Sequence, residues 1–127
     1  MFKKEVSFII GITADVTTTL DLIRGMECGS QCNSSLMTEY QNLLSDACKD
    51  YDKHKLTYDT LVEFIIVGEH FKLKILLPAA IKLATKCKTE KLKSCSRYHK
   101  ISDENRIRIA EQRAKYKEYS NSDVRLS

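Results

Sequence analysis

Residues that build tight turns are scarce in this chain, which has four glycines and one proline in 127 residues. An all-β sandwich needs turn chemistry about every dozen residues, so that architecture is disfavoured and helix becomes the expectation. Long uncharged apolar runs are missing too. The most apolar stretch, residues 64–84, contains Glu69, His70, Lys72, Lys74 and Lys82, too many charges for a bilayer core, and no membrane partner is expected. The five cysteines (Cys28, Cys32, Cys48, Cys87 and Cys95) are an odd number at irregular spacing. They do not make a closed disulfide framework, and reduced thiols in a cytoplasmic or nuclear protein fit them better.

What is present is enough for one core. Apolar residues make up 43% of the chain, a globular rather than a disordered composition. Charge is unevenly placed. Residues 1–81 hold eight Lys/Arg and eleven Asp/Glu, a balance of −3, whereas residues 82–127 hold thirteen and six, a balance of +7. Such asymmetry marks either a solvated basic face or a surface for an acidic partner.

Along the chain, Lys4 to Ile12 reads as a short strand, with Val6, Phe8 and Ile10 alternating and Gly11 closing the run. Lys3 and Lys4 ahead of Val6 to Ile12, with Ala14 beyond, also have the outline of a short signal peptide, although Glu5 sits awkwardly in such a leader. Ala14 to Met26 is ambiguous: Val16, Leu20 and Ile23 keep helical spacing, but Thr17 to Thr19 is a β-branched run. Gly25 to Ser35 reads as a loop. Leu36 to Tyr51 is predicted to be an amphipathic helix with Leu36, Tyr40, Leu43, Leu44, Ala47 and Tyr51 on one side. Thr57 is placed to cap the next helix, stapled by Leu56 and Leu61, with Asp59 in the first turn. That helix runs to about His70, apolar nearly all round, and is expected to be central. After a short connection at Lys72 to Lys74, a helix from about Leu76 to Lys86 tolerates Pro78 in its first turn. A weaker helix covers Thr89 to Tyr98. Ser102 then caps a last helix reaching about Tyr119, whose few apolar residues place it at the surface. Asn121 to Ser127 reads as a frayed tail.

No catalytic residue set, metal site or cofactor is expected. Cys28 and Cys32 have metal-ligand spacing, but Cys48 and His54 do not complete a second short-spaced pair. His54, His70 and His99 lack a matching nucleophile or carboxylate pattern, and Gly25 and Gly29 lie outside any strand–loop–helix context that would cradle a phosphate. Basic residues between Lys82 and Lys117, with Tyr98, Tyr116 and Tyr119 interleaved, raise the alternative of a helical nucleic-acid-binding module using Lys91, Lys93, Arg97, Arg106 and Arg113. No helix-turn-helix or finger signature accompanies them, so nucleic acid is the lesser expectation. A small secreted helical protein is the second alternative.

The segment Lys55 to Ala84 resembles the C-terminal helical part of a BTB/POZ domain. The matching residues are Leu56-Thr57 leading into a helix, the turn Gly68-Glu69-His70-Phe71-Lys72-Leu73, and the Leu76-Leu77 pair with Ala80 in the following helix. In that pattern Phe71 and Leu73 plug the corner between two helices and Gly68 lets them approach closely. The resemblance implies a mainly α, divergent or truncated BTB/POZ-like domain with at most a short N-terminal strand or small sheet. It implies a domain over residues 1–100, a surface or extension helix over 101–119 and a disordered tail over 120–127. Its functional implication is a protein–protein interaction adaptor that self-associates and links a target to a cullin-type ubiquitin ligase scaffold. Tyr40, Leu44, His70, Phe71 and Leu73 are the interface residues this reading selects.

Overall fold

The structure, a computed structural model, describes residues 16–25, 34–120 and 122–126. It is mainly helical. Among the described residues there are six α-helices and one 3-10 turn: α1 (Val16–Gly25), α2 (Ser34–Lys49), α3 (Tyr58–His70), α4 (Leu76–Lys86), α5 (Thr89–Lys93), the turn Tyr98–Lys100 and α6 (Asp103–Tyr119). The expected strand at Lys4 to Ile12, the leader-like residues 1–14 and the Cys28–Cys32 pair lie outside the described residues.

Local chemistry explains the starts of α3 and α6. The Thr57 hydroxyl accepts from the Thr60 N–H at 3.1 Å, and the flanking Leu56 and Leu61 are both buried. The Ser102 hydroxyl does the same for the Asn105 N–H at 3.3 Å, with Asp103 and Glu104 in the positive first turn of α6. Within the ambiguous stretch, Val16–Gly25 forms α1. Val16, Thr19, Leu20 and Ile23 fall on one buried face, and burial of that face outweighs the modest cost of the threonine run.

α4 has no side-chain cap of its own. Its first N–H groups are met from α2, where the Gln41 side-chain oxygen accepts from Ile75 N at 2.8 Å and Leu76 N at 3.1 Å. Pro78 falls in the same first turn, where its missing N–H costs nothing.

The corner between α3 and α4 is a Schellman motif. Leu73 N donates to Gly68 O at 2.9 Å and Lys72 N to Glu69 O at 3.3 Å, while Lys72 itself sits at φ 55°. The turn after α2 ends in the same way: Leu56 N donates to Tyr51 O, Lys55 N to Asp52 O, and Lys55 has φ 52°. In both motifs lysine occupies the left-handed position that glycine usually fills.

α4 rather than α3 has the widest set of neighbours, packing against α2, α3 and α6, while α1 packs on α2 and α3. A Cβ added at Gly68 would lie 3.0 Å from Leu77 Cβ and 3.3 Å from its Cα, so the glycine is what allows α3 and α4 to meet this closely. Phe64, Leu61, Ile65, Leu76, Ile23 and Leu44 are fully buried in the shared core.

α6 packs along α4 through Ile109 and Asn105 and leaves Ile107 57% exposed. Residues 122–126, read from sequence as part of a disordered tail, lie against the domain instead. Val124 N donates to Lys86 O at 2.9 Å, forming a parallel bridge opposite Cys87, and Val124 and Leu126 pack on the core. The groups that receive it come from α3, α4 and α6, helices distant in sequence from the segment or preceding it.

Candidate partner-binding groove

A groove of about 510 Å³ runs between the α3–α4 corner and the start of α6. Leu73, Leu77 and Pro78 give it an apolar floor, and Lys72, Lys74 and Arg108 stand around it as cations. Among the described residues neither Lys72 nor Lys74 has a carboxylate within ion-pair distance, while Arg108 reaches Glu104 only at 3.9 Å.

The two walls are tied together by Glu69. From the last turn of α3 its carboxylate accepts from the Ser102 hydroxyl at 2.7 Å, from Ser102 N at 3.1 Å and from the Asn105 side-chain amide. A carboxylate at a helix N-terminus also complements the helix dipole. Glu69 is therefore committed to the frame, and of the other charged groups around the groove three are cations and one, Glu104, is an exposed carboxylate. Glu63 performs a similar task on another face, pairing with Arg24 of α1 at 2.6 Å and with Arg97.

The interface residues expected from sequence divide between surface and interior. His70 is exposed and meets the half-buried Phe71 edge-on, with ring centroids 4.7 Å apart. Tyr40 is half-buried, and its hydroxyl is pushed up from its ordinary pKa by burial and by Glu39. Leu44 (0% exposed) and Leu73 (4% exposed) belong to the core and are not available as surface contacts, although Leu73 reaches the groove floor. Their apolar character predicted burial as well as contact, and the helical packing used them for burial. Gly68, Phe71 and Leu73 do form the helix corner as the sequence pattern required.

The five basic residues of the nucleic-acid alternative do not form one open stripe. Arg113 is only 14% exposed, donates to Thr85 O at 3.1 Å and pairs with Asp123 at 2.8 Å. Arg97 is held by Glu63, and Arg106 by Asp103. Lys91 and Lys93 remain as exposed cations on α5. Charge counting along a sequence cannot distinguish arginines used inside a fold from those offered to phosphates.

Among the described residues the thiols offer little nucleophilic chemistry. Cys48, Cys87 and Cys95 are free and buried. Burial pushes each of their pKa values up to about 12, with Cys87 raising Cys48 further and Asp59 raising Cys95, so they are neutral near pH 7. Among the described residues no three His, Cys, Asp or Glu side chains gather in a way that could hold a metal ion, and no helix is long and apolar enough to cross a membrane.

What sequence reasoning missed is the cationic frame of the groove. Lys72 and Lys74 read only as a connection, and Arg108 lies more than thirty residues away from them. Comparison with family models, with curated proteins and with solved structures found no match for this chain.

Proposed function

We propose that this chain is a protein-binding adaptor and that the groove between the α3–α4 corner and α6 receives its partner. The observation that carries this reading is the pairing of an apolar floor, Leu73, Leu77 and Pro78, with Lys72, Lys74 and Arg108 at its edge. Apolar floors supply affinity, while rim charges select the partner and speed its arrival. The matching occupant is a protein segment with one or two apolar side chains flanked by carboxylates. Glu69 keeps the groove preformed, so little ordering cost falls on binding.

The finer reading is the one the BTB/POZ resemblance implies: an adaptor that self-associates and links a target to a cullin-type ubiquitin ligase scaffold, in cytoplasm or nucleus. Its support is the corner of Gly68, Phe71 and Leu73, where the family pattern and the close helix approach coincide. Nucleic-acid binding has weaker support, because Arg97, Arg106 and Arg113 already have intramolecular partners.

Charge reversal at the groove edge tests the adaptor reading without touching the core. Labelled peptides that alternate apolar and acidic residues are expected to bind the chain, and the triple variant Lys72→Glu, Lys74→Glu, Arg108→Glu to bind them at least about tenfold less well. Equal binding by both proteins would remove the groove from consideration. Light scattering across concentration addresses the finer reading: a dimer insensitive to salt supports self-association, and a monomer at all concentrations excludes it.

A further inference from the structure

A second peptide seat lies on another face, where residues 122–126 rest. Their contacts are of the kind by which short extended peptides are recognised. Tyr116 OH donates to Ser122 O at 2.7 Å, Val124 N donates to Lys86 O at 2.9 Å, and Leu126 N donates to the Tyr58 hydroxyl at 3.2 Å. Lys86 to Lys88 form the receiving edge: Cys87 and Lys88 both have extended backbone, and Cys87 bridges Val124 in parallel. Asp123 is clamped by Arg113 at 2.8 Å and by Lys117 at 3.2 Å. The Arg113 guanidinium is itself positioned by Thr85 O, which leaves one edge of it for a carboxylate.

The occupant does not fully match this seat. A cavity of about 320 Å³ remains beside it, lined by Tyr58, Lys88 and Lys91 together with residues 123–126. Arg125 lines this cavity alongside Lys88 and Lys91, and Asp123 is the one carboxylate among its lining residues. A segment that carried a carboxylate in place of Arg125 would satisfy the seat better.

We infer that the surface formed by Tyr58, Lys86 to Lys91, Arg113 and Lys117 is a binding site for an extended acidic–aliphatic–acidic–aliphatic peptide of a partner protein, occupied in the free chain by its own Asp123-Val124-Arg125-Leu126. The segment then acts as a placeholder. Held in the same chain, it competes at an effective concentration of about millimolar, so a foreign peptide must either bind better or arrive when the segment has lifted away.

The full chain carrying Asp123→Ser, Val124→Ser and Leu126→Ser keeps the seat and weakens its occupant. A fluorescein-labelled peptide of sequence Ser-Asp-Val-Glu-Leu, followed by anisotropy, is expected to bind this variant at least about tenfold more tightly than it binds the unaltered chain. Replacing the peptide's Asp by Asn should weaken binding about tenfold, and replacing its Glu by Arg should weaken it further in low salt. These changes are made in the peptide, so they cannot be confused with misfolding. With Lys72→Glu and Lys74→Glu present in both proteins, so that the groove no longer holds acidic peptides, the gain on weakening the segment should persist, which separates this site from the groove. If a variant with an unaltered circular dichroism spectrum fails to bind, or binds Asp and Asn peptides alike, the inference is overturned.

Discussion

Three sulfur atoms show how far the fold changes the chemistry of single residues. Cys48, Cys87 and Cys95 are pushed up to about 12 from an ordinary value of 9.0, chiefly by burial. Folded and unfolded chains bind the same number of protons at these sites below about pH 9, so stability there is unaffected. Above it the unfolded thiols ionise while the folded ones do not, and stability falls progressively as the pH rises toward 12. Tyr40 and Tyr98, raised mainly by burial, act in the same direction. Urea unfolding midpoints are therefore expected to drop between pH 9 and 12, and Cys48→Ala should drop less steeply. An equally steep decline in that variant would show that Cys48 is not part of the cause. At this scale the sequence was informative where a residue acts on its close neighbours. Thr57 and Ser102 cap the helices they precede, and Gly68 permits the contact for which it was singled out. Lys55 and Lys72 were not legible as helix terminators, because lysine in a left-handed position runs against its usual preference.

Among the helices, α4 depends most on a distant residue. Its opening N–H groups are satisfied by Gln41, more than thirty positions earlier, and periodicity places Gln41 on α2 without revealing that task. Gln41→Leu keeps the side-chain bulk and removes the acceptor. It should lower stability by about 2 kcal/mol in urea unfolding, because at least one orphaned N–H is buried. Gln41→Glu restores an acceptor at the positive end of the helix and should recover most of the loss; if it does not, the capping account is mistaken. The same distinction explains α1. Its β-branched threonines made the local pattern ambiguous, and the buried face against α2 and α3 decided it. The weak helix expected at Thr89 to Tyr98 became the short α5 followed by a turn at Tyr98–Lys100, with Leu92 and Tyr98 as its buried anchors.

For the molecule as a whole, the order and approximate bounds of α2 to α6 could be read from apolar spacing and from the caps at Thr57 and Ser102. The groove and the second peptide seat could not, since both join side chains from helices separated in sequence. Arg108 completes the first and Arg113 the second, and nothing local to α6 distinguishes them. α6 is fastened at several points: Glu69 at its start, Ile109 along its length, and Arg113 to Thr85 O near its end. The connection leading into it is exposed at Ser96 and Arg97, yet Arg97 is itself bound to Glu63. Covalent continuity at that point is thus not what keeps the last helix in place. A chain cut once between Ser96 and Arg97 is expected to travel as a single species in native size-exclusion chromatography and to separate into two pieces only in denaturant. Two separated peaks without denaturant would instead show that the chain's continuity holds α6 in place; a single peak would mean that this protein can be split without being dismantled.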